Sequence, residues 1–153
     1  MKSVSKFIIY ILVAIVVIFV LIQFVPYGRS HTNPTIVKEP NWDTAQTRDL
    51  AKRACFDCHS NESIWPWYSN FAPVSWLVQH DVDDARKVFN FSDITSGRYG
   101  KQGSLMNIME ASAEVINEGE MPPFQYLPLH PSAKLTDAEK QQLIQGLITT
   151  GHK

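Results

Sequence analysis

The first apolar stretch runs from Phe7 to Val25, 19 residues with no charged side chain and a single amide, Gln23. At ~1.5 Å per residue such a run approaches the ~30 Å hydrocarbon core of a bilayer. The pattern predicts a single N-terminal transmembrane helix over 7–25. Residues 1–6, with Lys2 and Lys6, would stay on the cytoplasmic side. A cleaved signal peptide is the competing reading, but those have apolar cores of ~7–15 residues and a small-x-small site. This run ends Phe24-Val25-Pro26-Tyr27. A buried core helix is a third option, disfavoured because the run is apolar on every side.

Beyond Val25 the periodicity changes. Residues 26–41 hold Pro26, Gly28, Pro34 and Pro40 and no helical period, so they read as an extended linker. A domain over 42–153 follows. Asp43 is the expected N-cap of a helix reaching about Cys55. Residues 61–73 form an aromatic, proline-punctuated loop. Pro73 opens a helix to about Asn90, with Trp76, Leu77 and His80 on its apolar face. Asp81, Asp83, Asp84, Arg86 and Lys87 lie on its wet face. Residues 92–103, with Gly97, Gly100 and Gly103, read as a loop. Ser104 caps a third helix whose stripe is Leu105, Ile108, Met109, Ser112 and Ile116, stopped at Gly119. After a loop holding Pro122, Pro123, Pro128 and Pro131, Thr136 and Glu139 form a capping box for a last helix to about Thr150. Leu143, Ile144 and Leu147 are its apolar face. Neither strand alternation nor an internal repeat appears. The fold class is therefore all-α with long loops, and such loops are uncommon in a small domain unless they wrap something.

Composition narrows the function. Without Lys2 and Lys6 the rest of the chain carries 12 basic against 15 acidic residues, which argues against a nucleic-acid partner. A mildly acidic surface suits docking of a basic redox partner or simple solubility. The chain has two cysteines, Cys55 and Cys58, too close to staple a fold.

Their context is Cys55-Phe56-Asp57-Cys58-His59, a C-x-x-C-H sequence of the kind that attaches a c-type haem. Two thiols one helical turn apart can each add to one vinyl group of the porphyrin, and the next residue offers an imidazole to the iron. Other readings stay open. A thioredoxin-like redox pair would follow a strand and open a helix in a βαβ unit. A zinc site would need a fourth ligand, for which His80 is available. A structural disulfide is the last. For the distal iron ligand the chain offers Met121, in Gly119-Glu120-Met121-Pro122-Pro123, where prolines restrict the backbone beside a weak thioether. His80 is the rival, although a lone histidine on a helix face is more often structural. Met121 is preferred, and thioether ligation raises the potential relative to two imidazoles. His31, His130 and His152 lack partner spacing. Met106 and Met109 suit a helix core. Helix, C-x-x-C-H, loops, helix, Met-Pro and capped C-terminal helix follow the order of small class I cytochromes c, whose terminal helices cross.

The strings C-F-D-C-H-S-N-E-S, W-P-W-Y-S-N-F-A-P-V-S-W-L, H-D-V and F-N-F-S between Cys55 and Ser92, with G-x-M-P-P at Gly119–Pro123, closely resemble the bacterial haem-binding domain family of cytochrome c-like proteins. The likeness spans about Thr35 to Thr150. It departs from the family at Ala85, where glycine is frequent, and at Asp93-Ile94, where an aromatic is. The resemblance implies one covalent haem c on Cys55 and Cys58 with His59 as axial ligand, and less directly Met121. Trp65, Trp67 and Tyr68 are candidate pocket residues, their ring N–H or O–H available to a propionate, or else ordinary core. The expectation is a membrane-anchored electron carrier on the extracytoplasmic face of the inner membrane, serving redox partner proteins and not acting as an enzyme. A haem-based redox or gas sensor is the alternative, and a small peroxidase-like enzyme a more distant one.

Overall fold

The computed structural model describes residues 2–101 and 104–153, with side chains from Lys6 onward. Seven helices are described: α1 Lys2–Ile22, α2 Ala45–Ala54, α3 Phe56–His59, α4 Val74–Val88, α5 Gly97–Lys101, α6 Leu105–Asn117 and α7 Asp137–Gly151. Short 3-10 turns cover Trp67–Asn70 and Pro131–Ala133. Among the described residues the only β feature is an isolated parallel bridge between Lys38 and Asp93. The helical class expected from periodicity is therefore observed. The chain divides into two units, one of residues 1–32 and 65–80, the other of 33–64 and 81–153.

In the first unit the expected transmembrane helix is corrected. No helix among the described residues is long and apolar enough to cross a membrane. The reason lies at Gln23. Its side-chain amide donates to the Phe19 carbonyl at 3.0 Å and to the Ala72 carbonyl at 2.9 Å, and its Oε1 accepts the Ala72 N–H at 3.0 Å. Residues 23–25 turn with i→i−3 bonds ahead of Pro26. The uncharged part of α1 therefore ends at Ile22, roughly 24 Å of helix against the ~30 Å required. The chain after it folds against 65–80. Gly28 sits at φ +79°, and a Cβ there would run into the Ser75 carbonyl.

The second unit holds the main core. Leu50 and Ala51 of α2, Met109, Ala113 and Ile116 of α6, and Leu143, Ile144 and Leu147 of α7 meet there with Phe56 and Phe91. Helices α2 and α7 approach closely, because Gly146 offers no side chain to Thr47. A Cβ at Gly146 would lie 2.9 Å from the Thr47 Cβ and closer still to its Oγ1 and Cγ2. The N-cap of α2 is Thr44, one residue after the expected Asp43. Its extended backbone (φ −142°, ψ 158°) aims Oγ1 at the Thr47 N–H, 3.1 Å away. The Asp43 N–H instead donates to Thr150 Oγ1 on α7. Ser104 caps α6, accepting the Asn107 N–H at 3.2 Å. Thr136 and Glu139 form the expected capping box. Gly119, at φ +78°, follows the end of α6 as expected.

Three local expectations fail. Residues 97–101 form α5, though the loop's Gly103 lies outside the described residues. Met106 is 38% exposed and outside the core that takes Met109. On α4 the buried positions near its start are Ser75 and Gln79, while Leu77 and His80 are exposed. Burial there follows close backbone approach at Ser75 and not side-chain apolarity.

Gly146→Ala should destabilise the chain by about 1–3 kcal/mol through overpacking against Thr47, and Thr47→Ala in the same chain should recover part of the loss. Guanidinium unfolding checks both, and an unchanged midpoint for Gly146→Ala contradicts the close crossing.

Candidate haem-attachment site

The C-x-x-C-H segment is a single turn placed directly after α2. Cys55 leaves helical geometry (φ −126°, ψ −34°), and α3 restarts at Phe56. The Cys58 and His59 N–H groups both bond the Cys55 carbonyl, at 3.2 and 2.9 Å. Cys55, Cys58 and His59 share this single turn, and Cys58 lies close enough to Cys55 to act on its thiol. Phe56 is 1% exposed and stacked on Phe91 with centroids 5.5 Å apart. Trp42 closes the aromatic cluster at 5.3 Å from Phe91, and the Arg48 guanidinium lies 5.2 Å from the Phe56 ring centroid. The turn can therefore not rotate without pulling Phe56 out of the core.

His59 is held as a neutral imidazole with one nitrogen committed. Its Nδ1 lies 3.4 Å from the Phe89 carbonyl, and its ring stacks on Phe89 at 4.3 Å with planes 11° apart. An Nδ1–H donated to that carbonyl leaves the Nε2 lone pair for a metal. Burial pushes its pKa down, against the opposing pull of the Phe89 and Ala85 carbonyls. Downstream, the Phe91 N–H bonds the His59 carbonyl at 2.8 Å. Arg86 Nε donates to the Ser60 carbonyl at 2.8 Å and its Nη2 to Ser63 Oγ at 2.9 Å. Arg86, expected on the wet face of α4, thus fixes the backbone just after His59, and burial lowers its pKa. Asn90 Nδ2 donates to Asn61 Oδ1 at 2.8 Å, and Asn61 N–H to Ser92 Oγ at 3.0 Å.

Both cysteines are free thiols. Burial pushes Cys55 up to about 12, with the neighbouring Cys58 adding to it. Burial and then the charges of Asp57 and Asp81 push Cys58 up to about 11, against Arg86. Two neutral thiols and a neutral imidazole within one turn are the donor set that a covalent haem needs, so these residues fit the group. The thioredoxin-like alternative gains no support, since among the described residues no strand of a βαβ unit precedes the motif. The zinc alternative gains no support, since no group of three or more His, Cys, Asp or Glu among the described residues is gathered as a metal site.

Met121 lies in the same unit as this turn. Its side chain is 37% exposed and so not committed to the core, and its N–H bonds the Val115 carbonyl at the end of α6. Trp65, Trp67, Tyr68 and His80 belong to the other unit. There Trp65 stacks on His31 at 4.8 Å, and Trp67, 76% exposed, meets Tyr68 edge-on at 5.9 Å. Phe89 and Arg86 were not picked out as site residues from periodicity. The F-N-F-S string, which includes Phe89, was the available signal.

A family model described as a haem-binding domain matches residues 17–149. No curated protein and no solved structure matches the chain.

In the haem-free chain, raised thiol pKa values keep Cys55 and Cys58 protonated at pH 8. Iodoacetamide should label them at least about ten-fold more slowly than a free cysteine of pKa ~8.5, with the rate climbing toward pH 11. Stability contributed by the neutral thiols is present below ~8.5 and lost as pH rises through about 11 to 12. For His59 the sign is reversed. Its folded pKa is depressed, so the fold loses stability as pH falls below the ~6.5 of a free imidazole. Mass spectrometry and thermal melts read both effects, and labelling at the free-thiol rate contradicts the first.

Proposed function

The chain belongs to the haem-binding domain family, and from that premise we propose that it is a c-type cytochrome that carries single electrons between protein partners. The carrying observation is the turn at Cys55–His59: two free thiols and an imidazole with its Nδ1 committed to the Phe89 carbonyl. Cys55 and Cys58 would hold one haem through thioether bonds, and His59 Nε2 would be its proximal ligand. When bound, the haem supplies one-electron exchange between ferric and ferrous iron.

The chain's own residues supply the rest. Phe56, locked in the core, keeps the turn from rotating as charge changes. Phe89 holds the plane and tautomer of His59. Arg86 and Phe91 fix the backbone on the C-terminal side of the ligand. Met121, in the same unit and outside the core, is the distal ligand of this reading in preference to His80. A thioether from Met121 would give the iron a second protein ligand, which suits electron transfer more than substrate binding. Trp65, Trp67 and Tyr68 enter only as candidate pocket lining. The exposed apolar side chains of α1 support association of the chain with membrane lipid. In this reading the haem domain would lie outside the cytoplasm, because that is where haem attachment takes place.

Spectra of the oxidised and reduced haem protein test this reading in wild type, Met121→Ala and His80→Ala. Met121→Ala should lose the thioether signature, lower the reduction potential and bind carbon monoxide rapidly, while His80→Ala should match wild type. An unchanged spectrum in Met121→Ala refutes methionine ligation. Immediate and complete carbon monoxide binding by the reduced wild type favours a sensor.

A further inference from the structure

The segment after α6 is pinned at two places. At its start the N–H groups of Glu120 and Met121 both bond the Val115 carbonyl, at 2.9 and 3.2 Å. Five residues after Met121, the Tyr126 hydroxyl donates to Asp57 Oδ2 at 2.5 Å. Asp57 is the residue before Cys58 in the attachment turn, and its other oxygen accepts the Ile64 N–H at 2.9 Å. A hydroxyl bond to a carboxylate at this length belongs to the stronger class of hydrogen bonds. Between the two pins the chain is short and stiff. Pro122 and Pro123 fix their own φ angles, and the Tyr126 N–H closes a turn on the Pro123 carbonyl at 3.0 Å. Tyr126 is itself held, its ring stacked on His130 at 3.8 Å with planes 8° apart, and His130 Nδ1 lies 3.0 Å from the Tyr126 carbonyl.

We propose that Tyr126 is a positioning residue for the distal ligand: its bond to Asp57 ties the Met121 segment to the attachment turn and keeps the thioether at the iron. This rests on the reading of Met121 given above. At most about 17 Å of extended chain separates the Cα atoms of Tyr126 and Met121, so the tie at Asp57 limits how far Met121 can swing out. Without it the segment loses one of these two pins, and the population with the sulfur off the iron rises. In this reading the effect of Tyr126 passes through Met121.

The test is the rate of carbon monoxide binding to the reduced, haem-loaded full chain, a rate set by departure of the thioether. Tyr126→Phe keeps the ring and its stacking on His130 and removes only the hydroxyl. It should bind carbon monoxide on the order of ten-fold faster than wild type, with a weaker methionine-to-iron band in the ferric spectrum. Asp57→Ala, which removes the acceptor and leaves Tyr126 intact, should accelerate binding to a similar degree. Asp57→Asn, whose amide can still pair with the hydroxyl, should stay near wild type. A general structural role would lower thermal stability and leave the carbon monoxide rate unchanged. A methionine-ligated wild type whose rate is unaltered by Tyr126→Phe, or by Asp57→Ala, overturns this inference alone. A wild type without methionine ligation overturns the reading beneath it as well.

Discussion

Burial of Phe56 is the constraint on which the site depends. Its ring is 1% exposed between Trp42 and Phe91, inside the core that α2, α6 and α7 build together. A side chain of that size resists displacement, since truncating a buried phenylalanine costs ~3–5 kcal/mol. In a one-turn helix, fixing one residue fixes the rotation of the rest. With Phe56 inward, Cys58 and His59 on the same turn keep a fixed bearing relative to the core. The core thus sets the orientation of two thiols and an imidazole, Cys55 being packed against it. The close crossing of α2 and α7 at Thr47 and Gly146 holds the helix from which that turn departs.

A second tier of bonds finishes the arrangement. The residues after His59 have no regular secondary structure until the Trp67 turn, so their backbone groups need partners elsewhere. Arg86 takes the Ser60 carbonyl, Phe91 N–H takes the His59 carbonyl, and Asn61, Asn90 and Ser92 bond one another. These partners come from α4 and the segment after it, which also brings Phe89 onto the imidazole. Desolvation then works in one direction for the whole donor set: neutral thiols and a neutral ring are the favoured forms, and neutral imidazole is the form that ligates a metal.

What could be read from the sequence was the information carried within a few residues. The Ser104 cap, the Thr136–Glu139 box and the stripe of α6 are local patterns, and each stands in the structure. The misreadings came from long-range contacts that local pattern does not encode. Gln23 looked like one tolerable amide in an apolar run, yet it bonds Ala72, 49 residues away, where α1 ends. Arg86 looked solvated and reaches Ser60. Leu77 looked buried because it is apolar, while the close approach of Gly28 selects Ser75 instead. The bond from Tyr126 to Asp57 joins positions 69 apart and leaves no periodic trace. The haem-binding family was legible because its strings are longer than any single motif.

Covalent attachment is the central claim, and the most direct measurement is mass spectrometry of the protein after expression with a haem-attachment system and extraction with acidified acetone. The account predicts that haem stays with the polypeptide and maps to the peptide containing Cys55 and Cys58. Haem that extracts freely, leaving both cysteines as unmodified thiols, would contradict it.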